Sequence, residues 1–249
     1  ILWTYDFGAF PDSTYKFLDL MGGVKPYVLH QMDNHMGAVT KVSYAPSTRF
    51  YLEDEERPET RWRTPLPFPV QVVARVEVID QISHGKLTTE YRYHHGYWDG
   101  TEREFRGFGM VEQTDSEHFD HWVKGDAMNI TDKTLHQEPV VTRSWFHTGA
   151  FLSREKILNQ FAHEYWYEEM SRQGFTVVNP ETPLPDARLI TAPGIDASLI
   201  DHLSFEEWQQ ALRACKGMGL RSEVFAKDAP LVVATPEQRQ KELTPYSVA

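Results

Sequence analysis

Between Tyr91 and Glu112 the chain reads YRYHHGYWDGTEREFRGFGMVE, and this stretch decides the fold class. Thr89, Tyr91 and Tyr93 fall on one side of an alternating pattern, with Glu90, Arg92 and His94 on the other, which is the period of a half-buried strand. Gly96 and the Asp99-Gly100 pair punctuate it, and Asp-Gly suits a turn that needs positive φ. Glu102, Glu104 and Arg106 then alternate with Arg103 and Phe105 on a returning strand. Gly107 and Gly109 flank Phe108, which predicts a bulge or a close backbone approach.

Working outward, residues 27–45 form a second hairpin, with Asp33, Asn34 and Gly37 in its turn. The acidic run from Glu53 to Glu59 reads as a solvated loop. Pro65, Pro67 and Pro69 enforce an extended entry into a β-branched strand from Val70 to Ile79, and Gly85 turns it into the strand beginning near Lys86. Residues 70–112 are therefore a meander of three or four antiparallel strands. The class is mainly β with a few helices, its hairpins extending a large curved sheet.

After Asp115 the character changes. Glu117, His118, Asp120 and His121 lie in a polar link spanning residues 116–139, and Val140 to Phe146 is a further strand. Ile157, Phe161 and Tyr165 recur four apart, so residues 151–171 are expected to be helical, with Gly174 as the stop. Four prolines and a glycine between Asn179 and Gly194 indicate an irregular surface connection. Ser204 and Glu207 form a capping box for a helix that carries Phe205, Trp208, Leu212 and Cys215 on one face and ends at Gly217. Leu220 to Ala226 reads as a strand, and Thr235 to Leu243 as a charged, peripheral piece.

The formal charge of −11, from 36 acidic and 25 basic residues, argues against nucleic acid or an anionic membrane surface as a partner. No apolar run is long enough to span a bilayer. Cys215 is the single cysteine, which excludes an internal disulfide and a cysteine-based zinc cluster in this chain. The chain starts at Ile1 without a targeting segment, so it is expected to be a piece of a longer polypeptide.

Neither the His94-His95-Asp99 group nor the His118-Asp120-His121 group has the helical spacing that puts two imidazoles on one ion, and neighbouring strand residues face opposite ways. Asp99, Glu102 and Glu104 could serve hydrolysis as paired carboxylates, but their alternation with Arg103 and Arg106 reads as Arg-Glu ladders, with Arg92 as a cross-strand partner. No nucleophile elbow, phosphate loop or dinucleotide fingerprint occurs. Cys215 reads as a buried structural thiol. Tyr91, Tyr93, Tyr97, Trp98, Phe105 and Phe108 form either an aromatic core or a sugar-stacking platform. Gly37, Gly96, Asp99, Gly100, Gly107 and Gly109 are the structural turn and bulge positions, Gly96, Gly100, Gly107 and Gly109 being those where positive φ or the absence of a side chain is needed.

The G-x-x-D-G-x-E-R-E-F-R-G-F-G string beginning at Gly96 resembles the middle region of the B component of bacterial insecticidal toxin complexes, a region related to Rhs/YD-repeat and Salmonella virulence plasmid B proteins. Lys25-Pro26-Tyr27, the Asp33-Asn34…Gly37 turn and the run from Thr40 through Tyr44 to Pro46-Ser47 are similar to the same region. Trp145 to Ala150, Lys216-Gly217 and Leu220 to Phe225 resemble the module that follows it. The resemblance assigns residues 1–115 to the middle/N-terminal module and residues 140–249 to the start of the middle/C-terminal module. It implies a structural segment of a hollow β-sheet shell that encloses a toxic effector before translocation, with no catalytic residue and no cofactor. The implied partners are the rest of the parent polypeptide, the C component and, indirectly, the pore-forming A component. The implied assembly takes place in the cytoplasm of the producing cell, before secretion. A carbohydrate-binding β module is the rival from another class, and a glycoside hydrolase using Asp99 and Glu102 is a more distant one.

Overall fold

The structure, a computed structural model, describes residues 25–116, 136–178, 193–227 and 235–249, with 2–4, 15–18, 20, 22, 134 and 190–191. Glu117, His118, Asp120 and His121 of the polar link, and most of the Pro-rich connection, lie outside the described residues.

Eight strands make one open antiparallel sheet: β3 (Gln31–Asp33), β4 (Ala38–Pro46), β5 (Gln71–Asp80), β6 (Gly85–Asp99), β7 (Glu104–Asp115), β8 (Val140–Phe146), β9 (Gly219–Ala226) and β10 (Ser247–Val248). Their spatial order follows the sequence without a crossover, and β1 (Leu2–Thr4) pairs with β2 (Tyr15–Phe17) in a separate ribbon. The hairpin and meander readings hold, because each rests on local alternation closed by a turn. Asn34 shows how such a turn is made: its Oδ1 accepts from the backbone N–H groups of Met36 and Ala38, beside Gly37 at φ +101°.

Five α-helices and one 3-10 turn decorate the sheet among the described residues. They are α1 (Ser47–Glu55), α2 (Arg154–Glu164), α3 (Trp166–Arg172), the 3-10 turn Ala197–His202, α4 (Phe205–Ala214) and α5 (Pro236–Leu243). One reading needs correction and two are refined. The start of the acidic run is the end of α1, not a loop, and Asp54 within it is buried. The expected helix over 151–171 is two helices, broken where Tyr165 turns extended. Thr235–Leu243 is α5, opened by a capping box from Thr235 and Gln238. The capping box of Ser204 and Glu207 opens α4 as read. Of that helix's expected apolar face only Leu212 is buried; Cys215 is half-exposed and Phe205 is exposed.

The pairing of β5 with β6 runs from Asp80↔Gly85 to Arg75↔Glu90 and stops there. Beyond Glu90, β6 needs other hydrogen-bond partners on that side, and the segment after α1 supplies them. Trp98 N–H donates to the Pro65 carbonyl and the Thr64 hydroxyl donates to the Gly96 carbonyl, both at 2.8 Å. One apolar cluster, with Ala45, Phe50, Trp62 and Val72, fills this splay. A second joins Tyr97, Met110 and Trp145 of the sheet to Ile157, Phe161, Tyr165 and Tyr167 of the α2–α3 layer.

Candidate functional site

Strand partners directly opposite each other share a face, so the registers divide the sheet into two faces. On one face Met32, Thr40, Val78 and Leu87 make a row across β3–β6. Tyr91, Gln113, Thr142 and Val224 make a second row across β6–β9, and Tyr93, Val111, Ser144 and Ser222 a third. No residue in these three rows is charged and none is buried; Leu87 is 68% exposed.

The opposite face has the reverse character. Arg92, Glu112, Arg143 and Glu223 stand opposite one another on β6, β7, β8 and β9, a row of alternating charge. Arg143 donates to Glu112 at 3.0 Å and to Glu169 of α3 at 2.7 Å. Burial would raise the Glu112 pKa, but Arg143, His94 and Arg92 hold it below the ordinary carboxylate value. Burial prevails at Glu223, whose pKa is raised despite the Arg221 guanidinium donating at 2.6 Å. Burial would likewise lower the Arg143 pKa, and Glu112 with Glu169 hold it above its usual value. The charge row Arg92–Glu223 thus packs beside α1 and α3, while the Tyr91 and Tyr93 rows of the other face carry no charge between β6 and β9, Asp80 and Asp115 being charged residues further along that face.

The Arg-Glu ladder expected on the 91–112 hairpin exists, with different partners. Arg92 faces Glu112 and pairs with Glu53 of α1 at 2.8 Å. Glu102 and Glu104 are taken instead by α4 and its end: Arg213 Nε lies 3.0 Å from Glu104, Lys216 Nζ also 3.0 Å from it, and Gln209 donates to Glu102. Asp99 is buried and used structurally, Oδ1 accepting from the N–H groups of Thr101 and Glu102 and Oδ2 lying 2.8 Å from Arg106. With Asp99 and Glu102 both committed, they do not form a free catalytic pair.

The turn glycines separate into types. Gly107, at φ +88°, sits where the β6–β7 register slips by one residue, the extra residue being on β7. A Cβ on Gly109 would lie 2.5 Å from the Phe161 ring, and one on Gly96 would lie 2.6 Å from Leu66 and 2.8 Å from Trp62. Gly100 has open space around it, and the positive φ of that turn falls on Arg103. Of the six aromatic positions only Tyr97 is buried; Tyr91, Tyr93, Trp98, Phe105 and Phe108 are half-buried. Their rings stack on each other and on Phe68 and Trp62 at interplanar angles from 32° to 81°, which gives no shared flat surface for a sugar.

Sequence reasoning missed the pairing at His94 and His95. His94 Nδ1 is 2.6 Å from Asp54, and His95 Nε2 is 2.7 Å from Glu164 of α2; all four side chains are buried. Each carboxylate also accepts an indole N–H, Asp54 from Trp62 at 2.6 Å and Glu164 from Trp145 at 3.3 Å. Strand alternation was expected to separate the two imidazoles, yet Asp54 and Glu164 line one cleft of about 540 Å³ with His94, Glu112, Arg143 and Glu169. His95 has φ +55°, so simple alternation fails at this residue. Among the described residues no group of three or more His, Cys, Asp or Glu side chains is arranged to hold a metal ion, and no helix is long and apolar enough to cross a membrane.

Residues 7–143 match the family model described as the insecticide toxin TcdB middle/N-terminal region. Among solved structures, the chain is similar to one of TcdB2-TccC3, at 29% identity over 88% of this chain and 9% of that chain, TM-score 0.56. It is 32% identical to the form without the hypervariable C-terminal region, over 83% of this chain and 9% of that one, TM-score 0.56. A third structure, of the Photorhabdus luminescens Tc holotoxin pore, matches at 31% identity over 83% of this chain and 9% of that chain, TM-score 0.55. The chain therefore spans 9% of the length of these relatives. No curated protein matches it.

Proposed function

Because the chain belongs to the insecticide toxin TcdB middle/N-terminal family, we propose that it is a structural segment of a toxin-complex B component and not an enzyme. Its strands contribute to a hollow β-sheet shell that encloses a toxic effector before translocation into a host cell. The observation that carries this reading is the pair of uncharged, partly exposed rows from Tyr91 to Val224 and from Tyr93 to Ser222 across β6–β9. Such rows touch an enclosed polypeptide through apolar and hydroxyl groups without trapping it in ion pairs, while the paired charges and helices stiffen the other side. Sequential antiparallel strands with open edges suit a segment that neighbouring parts of the same polypeptide extend.

The C component is the direct partner in this reading, since the similar structures are of TcdB2-TccC3 complexes, and the A component is met indirectly. Assembly in the producing cell and later secretion follow from the same role. Residues 116–139 are the boundary between the two middle modules, although β7 and β8 on its two sides pair in one sheet.

The test is to place lysines in these uncharged rows, Thr142→Lys with Ser144→Lys, in the complete toxin complex. Assembly with the C component should persist while release of the effector slows, by roughly tenfold if each new cation engages acidic groups of the cargo. Unchanged release would refute a lumen-facing role for this face. The rival carbohydrate reading has no flat ring surface to support it.

A further inference from the structure

The cleft bounded by α1, β6–β8 and α3 has a use that shell building leaves unassigned. Its volume, about 540 Å³, falls within the roughly 300–1,000 Å³ of small-molecule sites. His94 forms part of its wall and is 5% exposed. Asp54 Oδ2 accepts from the Trp62 indole and faces His94 Nδ1 at 2.6 Å; in the neutral imidazole with its proton on Nδ1, toward this carboxylate, the lone pair is on Nε2. That Nε2 is buried and has no partner among the described residues. A buried acceptor without a donor costs on the order of 1–3 kcal/mol, so a donor arriving from a ligand is favoured there.

The charge around this acceptor is graded. Inside the cleft Arg143 is shared between Glu112 and Glu169, Arg92 lies between Glu53 and Glu112, and Glu164 is met by His95, Gln160 and Trp145, so the carboxylates of Asp54, Glu112, Glu164 and Glu169 outnumber the two guanidinium groups there. On the solvent side stand two exposed arginines. Arg57 has no side-chain partner among the described residues, and the Arg172 guanidinium donates only to the His163 carbonyl, at 2.7 Å. Exposed Glu59 offsets one of these two cations, so an acidic, acceptor-bearing floor lies beneath a mouth with a net positive charge, which favours a dipolar ligand.

We propose that this cleft binds a small zwitterion, with its ammonium group toward His94 Nε2 and the acidic floor and its carboxylate toward Arg57 and Arg172. The site is independent of the shell reading and involves no chemistry beyond hydrogen bonds and charge.

The test is isothermal titration of the full chain with glycylglycine, whose charges are separated, against butylamine and butyrate, which each carry one. Glycylglycine should bind saturably, and each single-charge probe at least about tenfold more weakly. Arg57→Ala removes an exposed side chain that holds nothing in the fold, and should weaken glycylglycine at least about fivefold without changing the unfolding temperature. No saturable binding to folded protein, equal binding of the three probes, or unchanged affinity in Arg57→Ala would each overturn the proposal.

Discussion

His94 and His95 are consecutive residues, yet each hydrogen-bonds a buried carboxylate on a different helix, His94 to Asp54 of α1 at 2.6 Å and His95 to Glu164 of α2 at 2.7 Å. Two adjacent positions of β6 therefore fasten the packing on both sides of the splay. Replacing His95 with Ala leaves Glu164 buried with fewer donors and opens space beside Phe161. It should cost about 2–4 kcal/mol in chemical denaturation followed by tryptophan fluorescence. Leu87→Ala, on the exposed face, should stay within about 0.5 kcal/mol.

The glycines of the β6–β7 hairpin should differ sharply in tolerance. Gly109→Val drives a side chain into the Phe161 ring, and Gly107→Val places a β-branched residue at φ +88°. Each is expected to prevent assembly of the toxin complex, read by sedimentation. Gly100→Ala, with nothing within 4 Å, should assemble as the wild type does.

Acid should weaken the fold through Glu112. Its pKa in the folded chain lies below the ordinary value of 4.5 because Arg143, His94 and Arg92 outweigh burial. The stabilisation is present above pH 4.5 and is lost as pH falls through the lowered value. Glu112→Gln should cost about 1–3 kcal/mol at pH 7 and flatten this acid limb. Glu223 acts in the opposite sense: its raised pKa gives stability below the ordinary value that is lost as pH rises through the folded one.

Exposed Met32, Val78, Ile82 and Leu87, together with the edge strand β3, should make the isolated chain self-associate. Sedimentation velocity over a concentration series should show a rising mass. A monomer that unfolds with high cooperativity would speak against a segment that needs its neighbours.

The hairpins were legible because alternation and turn residues are local: Tyr91 and Tyr93 share a face, and Asn34 closes its own turn. Ser204 and Glu207 announced α4 for the same reason. The partners of charged groups were not legible. Asp54 looked solvated within an acidic run, and only the fold brings His94, 40 residues away, to it. Glu104 was matched to its strand neighbours, whereas Arg213, 109 residues on, meets it from α4. Side-chain parity at His94 and His95 was misjudged because nothing in the sequence marks His95 for positive φ. The uncharged rows likewise need the register, since Thr142 and Ser222 are unremarkable until they join Tyr91 and Tyr93 on one face.

The most direct measurement is an electron cryomicroscopy structure of the complete toxin complex containing this chain, read for what lies against Leu87, Tyr91, Thr142 and Val224. If the segment builds the shell, that face borders the enclosed lumen and the strands flanking β3 and β10 come from the same polypeptide or the C component. If that face is instead turned to bulk solvent or packed beneath another folded domain, the lining role is wrong.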